Sequence, residues 1–180
     1  MIEVLLLALA LSMDAFAVSI GLGVKINRLN LKMVAIKAGV YFGIFQALMP
    51  LIGYLGGVGL KQYFDGYDSL IAFVLLLVIG LKMIYEGFGE NVEDEISIIS
   101  NKILLSLAIA TSIDAMAAGF TLHLFSLEPM VSIVIIGLVT FVVSILGVIV
   151  GSRGGEKYES KAEILGGVIL ILIGFKVLFL

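Results

Sequence analysis

The chain contains no cysteine and only one histidine among its 180 residues. The absence of cysteine excludes disulfide bonds, thiolate metal sites and cysteine nucleophiles. Charged residues are also scarce, at 14% of the sequence, and they form no basic arm of the kind that binds nucleic acid. The function of this chain therefore depends neither on thiol groups nor on a strongly charged binding surface.

Apolar residues dominate what is present. They make up 61% of the sequence, which leaves too little polar surface to cover a soluble globule. Six apolar segments are each about as long as the 20 residues that a helix needs to cross a bilayer, and they cover residues 4–24, 34–60, 69–87, 103–124, 130–152 and 163–180. The sequence predicts an all-α, polytopic membrane protein with six transmembrane helices and the lipid bilayer as its partner.

Two aspartates lie near the middle of apolar spans. Asp14 occurs in the stretch Ser12-Met13-Asp14-Ala15-Phe16-Ala17, and Asp114 occurs in the matching stretch Ser112-Ile113-Asp114-Ala115-Met116-Ala117. A central aspartate costs roughly 2.5 to 3.5 kcal/mol on membrane-insertion scales. A cost of this size, repeated at equivalent positions, indicates a functional role. Small residues line two faces of each of these helices, so we expect both helices to be central and packed on two sides.

The match between the two halves extends beyond the aspartates. In the second and fifth spans, Gly39, Gly53 and Gly56 match Gly137, Gly151 and Gly154, and in the third and sixth spans Ile79-Gly80-Leu81-Lys82 matches Ile173-Gly174-Phe175-Lys176. We interpret residues 1–87 and 103–180 as two three-helix repeats joined by an acidic loop at 88–102. Because three is odd, the second repeat is predicted to be inverted in the membrane, with a binding site at the repeat interface near the midplane.

The basic residues predict the orientation. If the first, third and fifth loops are cytoplasmic, that side holds all of the eleven lysines and arginines except Lys61 and Lys176. We therefore expect a multi-pass protein of the cell's inner (plasma) membrane, with both termini outside the cytoplasm.

The polar groups of the spans form a set of oxygen donors. Pro50 has no N–H to give to the carbonyl of Gln46, so an amide side chain and a free carbonyl are expected together at membrane depth. Glu163 is expected at the opening of the sixth span. The predicted metal ligands are Asp14 and Asp114, with supporting oxygens from Gln46, Glu163, Ser12, Ser112 and Thr111. Such a set suits hard or borderline divalent cations such as Mn, Mg or Ca and disfavours Cu and Zn.

The empty site is expected to hold protons. We find no basic residue near the middle of any span, so nothing in the sequence neutralises the two carboxylates. At least one aspartate is then expected to be protonated without metal, and metal binding expels that proton. The sequence thus favours exchange of a divalent cation for protons, with no permanently bound cofactor.

Two rival interpretations remain open at this point. Intramembrane aspartyl proteases also use two aspartates on separate helices, although their Gly-x-Gly-Asp signature is absent here. The other rival is a transporter or passive pore for another divalent cation.

Four motifs together resemble the bacterial manganese efflux pump family (MntP type). They are the two aspartate stretches, the segment Gln46-Ala-Leu-Met-Pro-Leu-Ile-Gly53 and the segment Lys161-Ala-Glu-Ile-Leu-Gly-Gly167. The resemblance covers essentially the whole chain. It implies export of Mn(II) from the cytoplasm rather than an enzymatic reaction, with Asp14 and Asp114 as the central acids and Glu163 as a further functional acid. Some members of the family carry Glu at the position of Gln46.

Overall fold

A computed structural model describes residues 2–26, 30–64, 67–88, 100–122, 128–154 and 158–179. Within these ranges every long element is an α-helix: α1 Ile2–Val24, α2 Leu31–Phe64, α3 Asp68–Phe88, α4 Asn101–Gly119, α5 Pro129–Gly151 and α6 Glu159–Phe179. All six are long and apolar enough to cross a membrane. The prediction of an all-α protein with six membrane-spanning helices is confirmed, whereas most of the connecting loop, residues 89–99, lies outside the described residues.

Three helices differ in length from their predicted spans. Helix α4 ends at Gly119, five residues before the predicted end at 124, and a short turn follows it. Helix α6 begins at Glu159, so Glu163 lies one turn inside the helix rather than at its opening. Helix α2 has 34 residues, which gives it a length of about 50 Å at 1.5 Å per residue. It therefore extends beyond the hydrocarbon core of a bilayer, which is about 30 Å thick.

Helix α1 is the centre of the bundle. It packs along α5 and α6, and more of it is buried than of any other helix. One of its faces consists of small residues that are completely buried, namely Ala8, Ser12, Ala15 and Ser19. Small side chains allow helix backbones to approach closely where lipid removes the hydrophobic drive between helices. The predicted central position is confirmed for this helix.

Helix α4 is not central in the same way. It packs along α2 but touches α3 and α1 at only a few positions, and its Ala110 is exposed. The expectation that both aspartate helices are enclosed on two sides is therefore wrong for α4. A groove of about 540 Å³ lies between α2, α3 and α4, with Leu75 and Ala117 on opposite walls. This groove reaches α4 within one turn of Asp114.

Two glycines pack against equivalent places in the two aspartate stretches. Gly53 of α2 lies directly against the carbonyl of Met116, and Gly147 of α5 lies against the carbonyl of Phe16. Met116 and Phe16 occupy equivalent places in the two aspartate stretches, so Gly53 and Gly147 have the same role. The sequence comparison had instead paired Gly53 with Gly151, one helical turn later.

The same register holds elsewhere along α2 and α5. Gly43 and Gly137 each lie against the other's carbonyl where these two helices meet. With Gly43 matched to Gly137 and Gly53 to Gly147, the position in α5 that corresponds to Gln46 is Thr140. This correspondence matters for the site because both side chains are buried.

Candidate metal site

The two predicted acids belong to one cluster of charges. Asp14 lies on α1 directly after Met13, whose side chain packs against Gly166 of α6. Four charged groups are near enough to act electrostatically on its carboxyl, and they come from α3, α4 and α6: Asp114, Lys82, Glu86 and Glu163. Both predicted acids thus take part in one cluster. Among the described residues, however, no three acidic or histidine side chains converge into a ready-made metal cage.

Lys82 contradicts the expectation that no basic group reaches the aspartates. Its Nζ lies 2.7 Å from Oδ2 of Asp114, which is both a hydrogen bond and an ion pair between α3 and α4. The Asp114 side chain is only 13% exposed. Lys82 lies about two turns before the end of α3, and its long aliphatic stem carries the charge to a neighbouring helix. Only the placement of α3 beside α4 reveals this contact.

Lys82 also has a second acidic neighbour. Its Nζ lies 3.7 Å from Oε1 of Glu86, one turn further along α3, and both of these side chains are about half exposed. The ammonium group is therefore positioned between two carboxylates, one of which belongs to the candidate site.

Glu163 is partly buried at the contact between α6 and α3. Its Cβ lies beside Gly87, where the missing glycine side chain makes room for it. It is one of the charges that act on Asp14. The structure therefore places this predicted acid near the first aspartate.

Gln46 connects α2 to α1. Its Nε2 donates a 2.7 Å hydrogen bond to the main-chain carbonyl of Leu11, and the side chain is 1% exposed. Its Oε1 is buried and has no hydrogen-bond partner in the part of the chain that the structure describes. An unpaired acceptor in such surroundings costs roughly 1 to 3 kcal/mol, so the oxygen is available for a ligand.

Pro50 has a packing role in addition to any effect on the carbonyl of Gln46. Helix α2 continues through it. The backbone of Gly119 on α4 lies so close to Pro50 that a Cβ at position 119 would overlap it. The proline thus lies at a close contact between α2 and α4.

The three predicted hydroxyl groups bond to their own helices. Ser12 donates to the carbonyl of Leu9 at 2.7 Å, and Ser112 donates to the carbonyl of Ile109 at 3.0 Å. Thr111 donates to the carbonyl of Leu107, also at 3.0 Å. Each oxygen keeps lone pairs that can accept a bond or bind a cation.

Three further hydroxyls were not identified from the sequence. Ser19 of α1 and Thr140 and Ser144 of α5 are completely buried, and their oxygens have no hydrogen-bond partner within the described ranges. Ser19 lies against Gly147, one turn from Ser144, at the contact of α1 with α5. Serine and threonine are common where membrane helices pack, so their presence in the sequence gave no signal.

The donors of this cluster are chemically suited to a hard or borderline cation. Carboxylate, amide and hydroxyl oxygens are ligands of Mg, Ca and Mn, and two carboxylates balance the charge of one divalent ion. Oε1 of Gln46 on α2 and Oγ1 of Thr140 on α5 are two buried oxygens that have no hydrogen-bond partner among the described residues.

Comparison with known proteins identifies relatives along almost the entire chain. The profile of the family described as "Putative manganese efflux pump" matches residues 28–178. A protein of Aliarcobacter butzleri named "Putative manganese efflux pump MntP" is 70% identical over 99% of both chains. Proteins of Saccharophagus degradans and Wolinella succinogenes, with names of the same kind, are 53% and 50% identical over 99% of this chain and 98% and 97% of their own. No solved structure matches the chain.

Proposed function

Because the chain belongs to the family described as "Putative manganese efflux pump", a family of transporters and not enzymes, we propose that it exports Mn(II) from the cytoplasm. The observation that carries this proposal is the charge cluster around Asp14 and Asp114, two acids at matching positions of matching helices. We assign these two aspartates as the metal ligands. In this reading Mn(II) is the transported substrate, not a resident cofactor.

Supporting ligands are proposed from the unpaired oxygens. Oε1 of Gln46 is buried, has no partner and belongs to a side chain already fixed against α1. Ser12, Ser112 and Thr111 retain lone pairs for the ion or for its remaining water. Glu163 acts through its charge on Asp14.

The unequal packing of the two halves supports alternating access. Helix α1 packs closely along α6, whereas the corresponding helices α4 and α3 touch at only a few positions. In a protein built from two inverted repeats, one access state has one of these helix pairs closely packed and the other pair apart. In the opposite access state the two pairs exchange these arrangements.

We propose that the halves are inverted, that the protein lies in the plasma membrane and that both termini are outside the cytoplasm.

Proton exchange is proposed at Asp14. Lys82 is paired with Asp114, and among the described residues Asp14 has no such ion pair. A proton on Asp14 would neutralise its carboxylate, and Mn(II) would release that proton because a metal binds the ionised carboxylate.

The ion pair argues against the protease alternative. An aspartyl protease needs one carboxyl that can donate a proton while the other activates water. The carboxylate of Asp114 is instead bonded to the ammonium group of Lys82 at 2.7 Å, so it is not free to activate water. A carrier for another divalent cation uses the same donor oxygens. Competition between that cation and Mn(II) in a flux measurement distinguishes the two functions.

The test is Mn(II) flux in proteoliposomes held at zero voltage, with and without a pH gradient, together with an internal pH dye. We expect flux to increase with an opposing proton gradient and the dye to report protons moving against the metal. Flux without any response to the gradient would reject proton exchange but not export. If excess Mg, Ca or Zn abolishes Mn(II) flux and is itself transported faster than Mn(II), manganese would be rejected as the substrate.

A further inference from the structure

The ammonium group of a lysine is bonded to the carboxylate of one of the two proposed metal ligands. Lys82 lies within a membrane-spanning helix, and its Nζ is hydrogen-bonded to Asp114 of α4. Its counterpart in the second half, Lys176, is bonded instead to Glu3, near the start of α1. The two lysines therefore hold corresponding sequence positions but only Lys82 reaches an aspartate of the site.

Charge is the physical reason why this contact matters. Moving an isolated carboxylate through a medium of low dielectric constant is costly, and an opposite charge at hydrogen-bond distance removes much of that cost. In the absence of metal the positive charge of Lys82 supplies part of what Mn(II) supplies when it is bound. The carboxylate of Asp114 then faces a positive charge in the empty site as well as in the loaded one.

A second position for the ammonium group is already present. Glu86 lies one turn away on the same helix, 3.7 Å from Nζ, and both side chains are about half exposed. Glu86 is therefore within reach of the same ammonium group with α3 in its present position.

From these contacts we infer that Lys82 is a tethered cation of the transport cycle, bonded to Asp114 in the empty site and displaced toward Glu86 when the metal binds. The inference rests on the proposed export of Mn(II) through Asp114. It assigns Lys82 two effects of opposite sign: competition with the metal for Asp114, and compensation of charge when the empty site returns across the membrane.

The first measurement is equilibrium binding of Mn(II) to the purified full-length protein, followed by the electron paramagnetic resonance signal of free Mn(II). Lys82→Gln is expected to bind Mn(II) about tenfold or more tightly than the wild type, because close charge pairs contribute at least this much. Lys82→Arg keeps the charge and is expected to bind as the wild type does. Lys176→Gln is the matched control, with unchanged affinity.

The second measurement separates exchange from net transport in proteoliposomes. Exchange of labelled for unlabelled Mn(II) does not require the empty site to return, so Lys82→Gln is expected to retain it. Net efflux requires that return, so we expect Lys82→Gln to lose at least about nine-tenths of it. A loss of this size corresponds to an increase of roughly 1.4 kcal/mol in the activation free energy of the return step. Lys82→Arg is expected to restore net efflux.

The outcomes distinguish this inference from the proposed function. Unchanged or weaker Mn(II) binding by Lys82→Gln, or equal loss of exchange and net efflux, would overturn the tethered-cation role and leave Lys82 as a structural tie between α3 and α4. Absence of Mn(II) binding and exchange in the wild type would instead reject the proposed function itself.

Discussion

Gln46 and Leu11 join α2 to α1 one turn before Asp14. The amide nitrogen of Gln46 donates to the Leu11 carbonyl at 2.7 Å, and the amide oxygen of the same side chain is buried with no partner among the residues that the structure describes. Within an α-helix that carbonyl also accepts from the residue four positions later. The hydrogen bond therefore adds a contact between helices and fixes the direction in which the free oxygen points.

Replacement of Gln46 tests whether the free oxygen binds the metal. Gln46→Leu removes one interhelical hydrogen bond, worth about 0.6 kcal/mol on average in membrane proteins, so stability is expected to change little. Mn(II) affinity is expected to fall roughly tenfold, since each 1.4 kcal/mol of lost binding has this effect. Gln46→Glu keeps an oxygen at this position and is expected to retain binding. Equal losses in both variants, measured by Mn(II) titration, would argue against a ligand role.

The aspartates are expected to act together. Asp14→Asn and Asp114→Asn each remove a charged ligand, a change that typically costs about 2 to 5 kcal/mol, so each variant is expected to lose at least about thirtyfold in Mn(II) export. Membrane insertion is expected to remain intact because asparagine is cheaper to bury than a charge. Manganese tolerance in cells that express either variant at the normal level is the measurement. Full tolerance would refute the assignment.

Thr140 is expected to show opposite effects on stability and transport. Thr140→Val has nearly the same shape and removes a buried hydroxyl that has no partner, so the free energy of unfolding is expected to rise by about 1 kcal/mol or more. Export is expected to fall if the hydroxyl serves the ion. Ser132→Ala, near the start of the same helix, removes a hydroxyl bonded to Glu128 and serves as the control. A more stable variant with unchanged export would remove Thr140 from the site.

Two glycines of α2 provide a matched pair for the contact with α4. A Cβ at Gly53 would overlap the carbonyl of Met116, whereas a Cβ at Gly56 meets no atom within 4 Å. Gly53→Ala is expected to destabilise the protein by about 1 to 3 kcal/mol through overpacking. Gly56→Ala is expected to be neutral or slightly stabilising. Thermal unfolding in detergent compares the two, and equal effects would contradict the described packing of α2 on α4.

The orientation in the membrane is open to a labelling test. The chain has no cysteine, so a single cysteine can be placed at Asn30 or at Tyr67. Asn30 directly precedes α2, Tyr67 follows the other end of α2, and both side chains are exposed. With cytoplasmic first and third loops, a membrane-impermeant thiol reagent added to intact cells is expected to label Tyr67→Cys and not Asn30→Cys. The reverse pattern would invert the orientation.

Much of the candidate site could be predicted before the fold was known. Asp14, Asp114 and Gln46 stand out because a polar group inside an apolar span is costly and therefore conspicuous. Lys82 did not stand out because it lies near the end of a span, where a lysine ordinarily turns toward the membrane surface. Thr140 did not stand out because a hydroxyl is inexpensive at a helix contact.

The amino-acid sequence by itself determined the six helices and the depth of the two aspartates. In a bilayer every backbone polar group needs a partner within the protein, so an apolar segment of sufficient length has the helix as its available structure. Only the tertiary structure decided that Gly53 corresponds to Gly147, that α1 and not α4 is central, and that Lys82 reaches Asp114. These features depend on how far each helix rotates and slides against its neighbours. Small residues recur every turn in these helices and permit several such registers, so the choice among them is made only when all six helices pack together.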